Sequence, residues 1–212
     1  MNAKSGLKYF WELRRRDDWK SMIFWFPVII ILIKFIVFPF LSLITGTSLP
    51  IVIVESCSMY HGNDFKNWWS VNSDLYAFYN TSESEFGSFK FVNGLNKGDI
   101  IFILGSSSYK KGDVIVFNAN SGSTQSYPII HRIVHDNPTG TKGDNNNLQL
   151  VANSDFSNNK GKVDETNIDF ERIQGKAVFR VPYLGWVKLF FFDFFKPSEA
   201  RGFCHETTQP KL

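Results

Sequence analysis

The sequence predicts a mainly β fold: an N-terminal transmembrane helix followed by a small β-barrel-like or folded-sheet domain. Three observations predict it. Ser21 to Ile44 is apolar apart from Lys34, and it is long enough for a bilayer span, which needs roughly 20 such residues. Beyond it, short β-branched and aromatic runs recur, separated by Gly-, Pro- and Asn-containing turns. The chain of 212 residues suits one anchor and one domain of ordinary size.

The elements follow in order. Residues 1–20 read as a cytoplasmic N-terminus, with Arg14, Arg15 and Arg16 in a basic cluster that Asp17 and Asp18 interrupt. Residues 21–44 are the anchor. Pro27 and Pro39 lie near its ends, where a break costs least, and Lys34 must snorkel or face a partner helix. A cleaved signal peptide fits less well, because the apolar stretch is about twice a usual signal core and no small-x-small site follows cleanly. Basic residues before the span and few just after it place the N-terminus inside and everything beyond about Thr45 outside.

Residues 45–183 form the extracytoplasmic β domain. Leu49 to Val54 is a first strand. Residues 60–92, polar and aromatic with Trp68, Trp69, Tyr76 and Tyr79, read as an insertion or surface loop carrying a helix. Asn80-Thr81-Ser82 within it is a glycosylation sequon. The near-repeats Lys97-Gly98-Asp99 and Lys111-Gly112-Asp113 each introduce a buried strand, Ile100 to Leu104 and Val114 to Phe117. Ile129 to Val134 and Leu148 to Ala152 are expected to pair as a hairpin through a turn at 137–147. Gly175 to Val181 is the last clear strand. Residues 184–212 hold an aromatic segment, Leu184 to Phe195, read as a juxtamembrane helix on the lipid surface with core packing as the alternative, and then a polar tail.

Composition narrows the function. A net charge of +3 is too small to argue for nucleic acid as a partner. The two cysteines, Cys57 and Cys204, have no metal-type spacing and form no CxxC, so no metal and no cofactor is expected. A disulfide between them is not expected either, since Cys57 sits inside a serine motif. That motif, Glu55-Ser56-Cys57-Ser58-Met59, leaves the first strand directly. His131 sits on a later apolar strand. A serine hydroxyl needs a base within hydrogen-bond reach, and the base needs an orienting acid. Ser58 is the candidate nucleophile and His131 the candidate base, with His61 as the rival base. Ser56 could help bind a developing oxyanion together with the Ser58 N–H.

These pieces, ESCSMY, KGDIIF, KGDVIVF, PIIHRIV, an acidic loop and GKAVFRVPYLGWVK, occur in the order found in type I signal peptidases of the archaeal and endoplasmic-reticulum branch, which the chain resembles over most of its length. The resemblance implies an anchored β domain that cuts signal peptides from exported preproteins after small residues, with Ser58 as nucleophile and His131 as base. It also implies preproteins, the bilayer and the protein-export channel as partners. It implies an acid in a Gly-Asp motif beyond the histidine, with a second Asp after it. Lys142-Gly143-Asp144 matches in letters but follows His131 too soon, with no strand between. Asn153-Ser154-Asp155 matches in position. Asp155, with Asp164 as second acid, is preferred on chain geometry. Asp144, in the expected turn, would lie on the order of 20 Å from His131 at the usual strand rise. The family's Pro after Ser-Met-x is absent, His61-Gly62 standing there instead.

Two other readings compete. One is a related processing peptidase dedicated to a single substrate. The other is a non-catalytic anchored β module that binds partners or glycans through Trp68, Trp69 and neighbouring tyrosines.

Overall fold

The computed structural model describes residues 19–62, 64–121, 123, 127–151 and 163–205. It divides at Ile44/Thr45 into two compact units. The first is one apolar helix, built from α1 (Trp19–Leu32), a wide π turn (Ile33–Val37) and α2 (Phe38–Thr45). Its stretch Ser21–Thr45 is long and apolar enough to cross a membrane. The wide turn has a local cause. Pro39 has no N–H and its ring crowds the preceding turn, and just before it the Phe38 N–H reaches back five residues to Ile33 O.

The second unit is a curled antiparallel sheet of six strands: β1 (Ile51–Ile53), β2 (Ile100–Leu104), β3 (Val114–Phe117), β4 (Ile129–His135), β5 (Gly140–Lys142) and β6 (Ile173–Val181). Their order across the sheet is β1-β2-β6-β3-β4-β5. The late strand β6 thus lies between β2 and β3. Register shifts on both of its sides, at Phe102/Ile103 and at Val116/Phe117, bend the sheet.

The two Lys-Gly-Asp sequences fold alike. Asp99 Oδ2 accepts the Asn96 N–H at 2.8 Å, and Asp113 Oδ2 accepts the Lys110 N–H at 3.2 Å. Both glycines sit at φ +90°, where a side chain would be strained, and each delivers a strand to one flank of β6. All four β3 residues are buried. Val114 and Val116 pack with Val54, Met59, Leu95, Ile101, Ile103 and Ala177. Ile115 and Phe117 pack with Ile133, Val163 and Ile168. Burial on both faces is why this strand is an unbroken apolar run rather than an alternating one.

Residues 60–92 are more ordered than a surface loop. They form α3 (Phe65–Ala77) and α4 (Glu83–Gly87). Asp64 caps α3 by accepting the Lys66 N–H at 2.9 Å, and Ser82 caps α4 through the Glu85 N–H at 3.2 Å. Trp68, Trp69, Tyr76 and Phe86 form an aromatic core of their own with Val134 of β4.

Two expectations are corrected. The hairpin from β4 closes early: Arg132 faces Lys142 and Ile133 faces Thr141, so the turn occupies Asp136–Thr139. The Asn-Pro-Thr-Gly sequence suffices to reverse the chain, and the return strand is β5. Among the described residues, 148–151 form no strand. Second, Cys57 and Cys204 are joined in a disulfide with Cα atoms 5.6 Å apart. The serine turn brings Cys57 against the C-terminal segment that carries Cys204. The aromatic tail divides its residues between the two expected placements. In α5 (Trp186–Phe192) Leu189 is buried in the domain, while Phe190, Phe191, Phe194 and Phe195 are exposed.

Candidate functional site

The edge strand β1 carries the chain to Val54, whose N–H is bonded to Asp99 O at 2.9 Å, and then into the serine turn. Met59 anchors that turn. Its side chain is buried in the core, and its carbonyl accepts the Leu95 N–H at 2.7 Å. The Tyr60 N–H closes the turn on Cys57 O at 3.1 Å. Ser58 is half-buried and Ser56 exposed, and their hydroxyls hydrogen-bond at 3.1 Å. Just upstream, Glu55 is ionised more easily than usual. Partial burial opposes its charge, but Lys188 and Lys196 outweigh that.

His131 lies on β4, buried, opposite Ile115 of β3. Its Nδ1 is hydrogen-bonded to Glu165 Oε1. Glu165 is fully buried and fixed from several sides. Oε1 also accepts from Thr141 Oγ1 at 3.1 Å, and Oε2 accepts the Leu150 N–H at 2.8 Å. The Glu165 backbone pairs with Leu150 and Thr141. A carboxylate only accepts, so Nδ1 carries a proton, and the neutral form of the ring has its lone pair at Nε2. That is the tautomer a general base needs.

Nε2 faces the turn that follows β5. A Cβ placed on Gly143 would stand 2.7 Å from it, so only glycine fits without moving the ring. The same turn grips the serine segment. The Asn145 N–H donates to Ser58 O at 2.7 Å and Asn145 Nδ2 to Cys57 O at 3.0 Å. The Asp144 N–H points to Met59 Sδ at 3.4 Å. Ser58 and His131 therefore flank one turn. No hydrogen bond joins them directly, and the Ser58 hydroxyl is engaged with Ser56.

The turn is itself held rigidly. Lys142 Nζ donates to the carbonyls of Gly143 and Asn146 at 3.0 and 2.8 Å. The buried Asp144 carboxylate accepts from Arg132 Nη2 at 2.8 Å, from Tyr76 Oη at 2.7 Å and from His61 Nε2 at 2.9 Å. Burial alone would raise the Asp144 pKa, but the Arg132 guanidinium and His61 hold it far below the ordinary carboxylate range. Burial, followed by the Asp144 charge, pushes the Tyr76 hydroxyl well above its usual value. For His61, burial lowers the pKa and outweighs its hydrogen bond to Asp144.

The sequence candidates distribute as follows. Ser56 and Ser58 are together, with His131 across the 143–145 turn. Asp155 lies outside the described residues. The Asp164 carboxylate is turned to Thr166, accepting its N–H at 2.9 Å and its hydroxyl at 2.6 Å, while the acid bonded to His131 is the adjacent Glu165. Asp144 is not remote in a hairpin tip, because the early turn brings it beside Arg132, but it serves Arg132 rather than His131. His61 has both nitrogens engaged, to Asp144 and to Val92 O, and stacks on Trp68 with centroids 3.7 Å apart. Glu165 was missed. The available signal was Val163 and Ile168, two apolar residues framing acids in an otherwise polar loop. They are buried and carry Glu165 inward.

Trp68 and Trp69 are buried at 7% and 8% exposure, which removes them as a surface for glycans or partners. The bonded Cys57 is no nucleophile. Among the described residues no group of three His, Cys, Asp or Glu side chains could hold a metal ion. No protein-family model and no curated protein matches the chain.

Proposed function

We propose that the protein is a membrane-anchored serine endopeptidase that removes signal peptides from exported preproteins, with Ser58 as nucleophile, His131 as base and Glu165 as the acid that orients it. The observation that carries this reading is the buried Glu165–His131 pair, which aims a basic Nε2 at the turn that holds the Ser58 backbone. Ser58 Oγ attacks the scissile carbonyl carbon and gives its proton to Nε2. The resulting imidazolium is stabilised by Glu165. The tetrahedral oxyanion takes the Ser58 N–H and the Ser56 hydroxyl as donors. Collapse breaks the C–N bond, and Nε2 returns the proton to the leaving amine. Water then repeats the cycle on the acyl-serine, restoring the Ser58 hydroxyl. Catalytic hydrogen bonds commonly tighten only when substrate binds, so the Ser56–Ser58 contact is one the substrate must displace.

The substrate class rests on the motif order from the anchor to GKAVFRVPYLGWVK. An extended peptide suits the free edge of β1, which pairs with β2 on one side only. In this reading the helix Ser21–Thr45 is a single pass, with the basic N-terminus cytoplasmic and the β domain outside, where a disulfide persists. The exposed phenylalanines of the α5 segment meet the bilayer surface, and the export channel delivers the substrate.

The deciding experiment is cleavage of a preprotein by the purified protein in detergent or liposomes, alongside Ser58→Ala. The wild type is expected to release the signal peptide. Ser58→Ala is expected to lose on the order of 10⁵–10⁶ in rate. Equal cleavage by the two proteins overturns the reading.

A further inference from the structure

The residue before Ser58 is tied to the far end of the chain. The segment from Gly185 to Cys204 folds back as a strap. It begins with the Gly185 N–H on Gly98 O at 2.7 Å. Its middle is held by buried Lys97, whose Nζ meets Asp193 Oδ1 at 2.7 Å and Ala200 O at 2.6 Å. The Gly202 N–H reaches Asp193 Oδ2 at 2.8 Å. The strap then closes on Cys57 through Cys204. Cys57 O is meanwhile held by Asn145 Nδ2 from the turn that lies against His131 Nε2. The serine turn is thus gripped from two sides, by the turn at the base and by the strap.

The other ties between the strap and the serine segment are weaker. Lys188 and Lys196 pair with Glu55 at 2.9 and 3.2 Å, but these side chains are partly exposed. Solvent-exposed ion pairs fix position poorly. The covalent bond is the firmest tie between the strap and the serine segment. Both cysteines are only half-buried, so a small reductant can reach them.

We propose that Cys204 is a positioning residue for Ser58: through the Cys57–Cys204 disulfide the C-terminal strap sets the nucleophile relative to His131, and reduction of that bond reversibly disables the site. This rests on the serine-peptidase reading. In the reduction a dithiol supplies two electrons and two protons. The S–S bond breaks, two thiols form, and the dithiol closes to its own disulfide. Displacement of a nucleophile by about 1 Å costs on the order of 10²-fold in rate. The β1 edge and the core are untouched, so the loss falls on kcat and not on KM.

The test uses the full chain in liposomes with a preprotein substrate. Cleavage is measured before dithiol treatment, after it with both thiols verified by alkylation of an aliquot, and after reoxidation. Hydrogen exchange over residues 55–60 is followed in the same samples. The expected result is a fall in kcat of about 10²-fold with KM held, faster exchange at 55–60, and recovery of both on reoxidation. The double variant C57S/C204S is expected to be slow and indifferent to dithiol, which excludes an effect of the reductant elsewhere. Full rate with both thiols free, or a wild-type rate in the double variant, overturns the proposal. Failure of the oxidised protein to cleave any preprotein instead overturns the peptidase reading. In that event unchanged exchange at 55–60 on reduction overturns the strap's hold on the turn separately.

Discussion

His131 holds its Nδ1 proton toward Glu165, while Asp164, one residue earlier, turns to Thr166. The two acids can therefore be separated by substitution. Glu165→Gln keeps the shape but offers an amide that can force the wrong imidazole tautomer, and kcat is expected to fall by about 10⁴. Asp164→Ala should leave the turnover near wild type. A preprotein cleavage assay on the two variants decides between the neighbours, and the reverse order would return the role to Asp164. Asp144 carries a different burden. Asp144→Asn leaves the buried Arg132 charge without its partner and is expected to destabilise the fold by about 3–5 kcal/mol in urea unfolding. Its pH dependence follows from the direction of the shift. The folded pKa lies below the unfolded one, so the contribution is present above the unfolded value of about 3.9 and is lost as pH falls toward the folded value. The gap between wild type and Asp144→Asn is thus expected to stay constant from neutral pH to about pH 4 and to narrow below it. A gap that already closes at pH 6 would contradict the ion pair. At this scale the places of Ser58 and His131 were legible in the sequence, a turn leaving a strand and an apolar strand, and the structure has both residues there. Glu165 was hidden because its loop is polar on average, and only the tertiary burial of Val163 and Ile168 turns it inward.

The short turn after β5 is the element on which the site's geometry rests. It meets His131 at Gly143 and the serine backbone at Asn145. Gly143→Ala would push a methyl to within 2.7 Å of Nε2. The expected outcome is a folded protein whose kcat has fallen by about 10²-fold, read by circular dichroism together with cleavage kinetics. Unchanged kinetics would mean that the ring yields without consequence. The strands β2 and β3 were legible to the residue, since turn chemistry and β-branched runs coincide there. The β4–β5 hairpin was misread because letters alone allowed two reversals, at 137–140 and at 143–145. The nearer one won through three backbone-paired positions, which brought Asp144 beside Arg132. The insertion also had more order than its polar composition implied. Its aromatics face one another around His61, a pattern that requires two helices to be seen together.

For the molecule as a whole, the long apolar N-terminal helix and the β class followed from the length of the apolar stretch and from short β-branched runs between turns, whereas the strand order and the disulfide did not. Nothing local in Ile173–Val181 says that it separates β2 from β3, and a spacing of 147 residues between cysteines carries no geometry. Orientation can be read directly. Asn80 of the sequon is exposed, in a turn at φ +50°. Translation into microsomes is expected to add one glycan at Asn80, removed by Ser82→Ala, if the β domain lies outside. An unmodified and protease-accessible β domain would reverse the topology.

The place of β6 also sets a timetable. A ribosome delivers β1 and β2 with Ser58 first, then β3, β4 and β5 with His131, and no strand of the first group pairs with a strand of the second. Only when Ile173–Val181 emerges, near the end of translation, can it pair with β2 on one flank and β3 on the other and close the sheet. Cys204 arrives later still. Until then the strands that flank Ser58 and the strand that carries His131 are not joined in one sheet, so a nascent chain carries no completed candidate site. In the proposed peptidase reading, the order in which the strands are made keeps the enzyme from acting during its own synthesis.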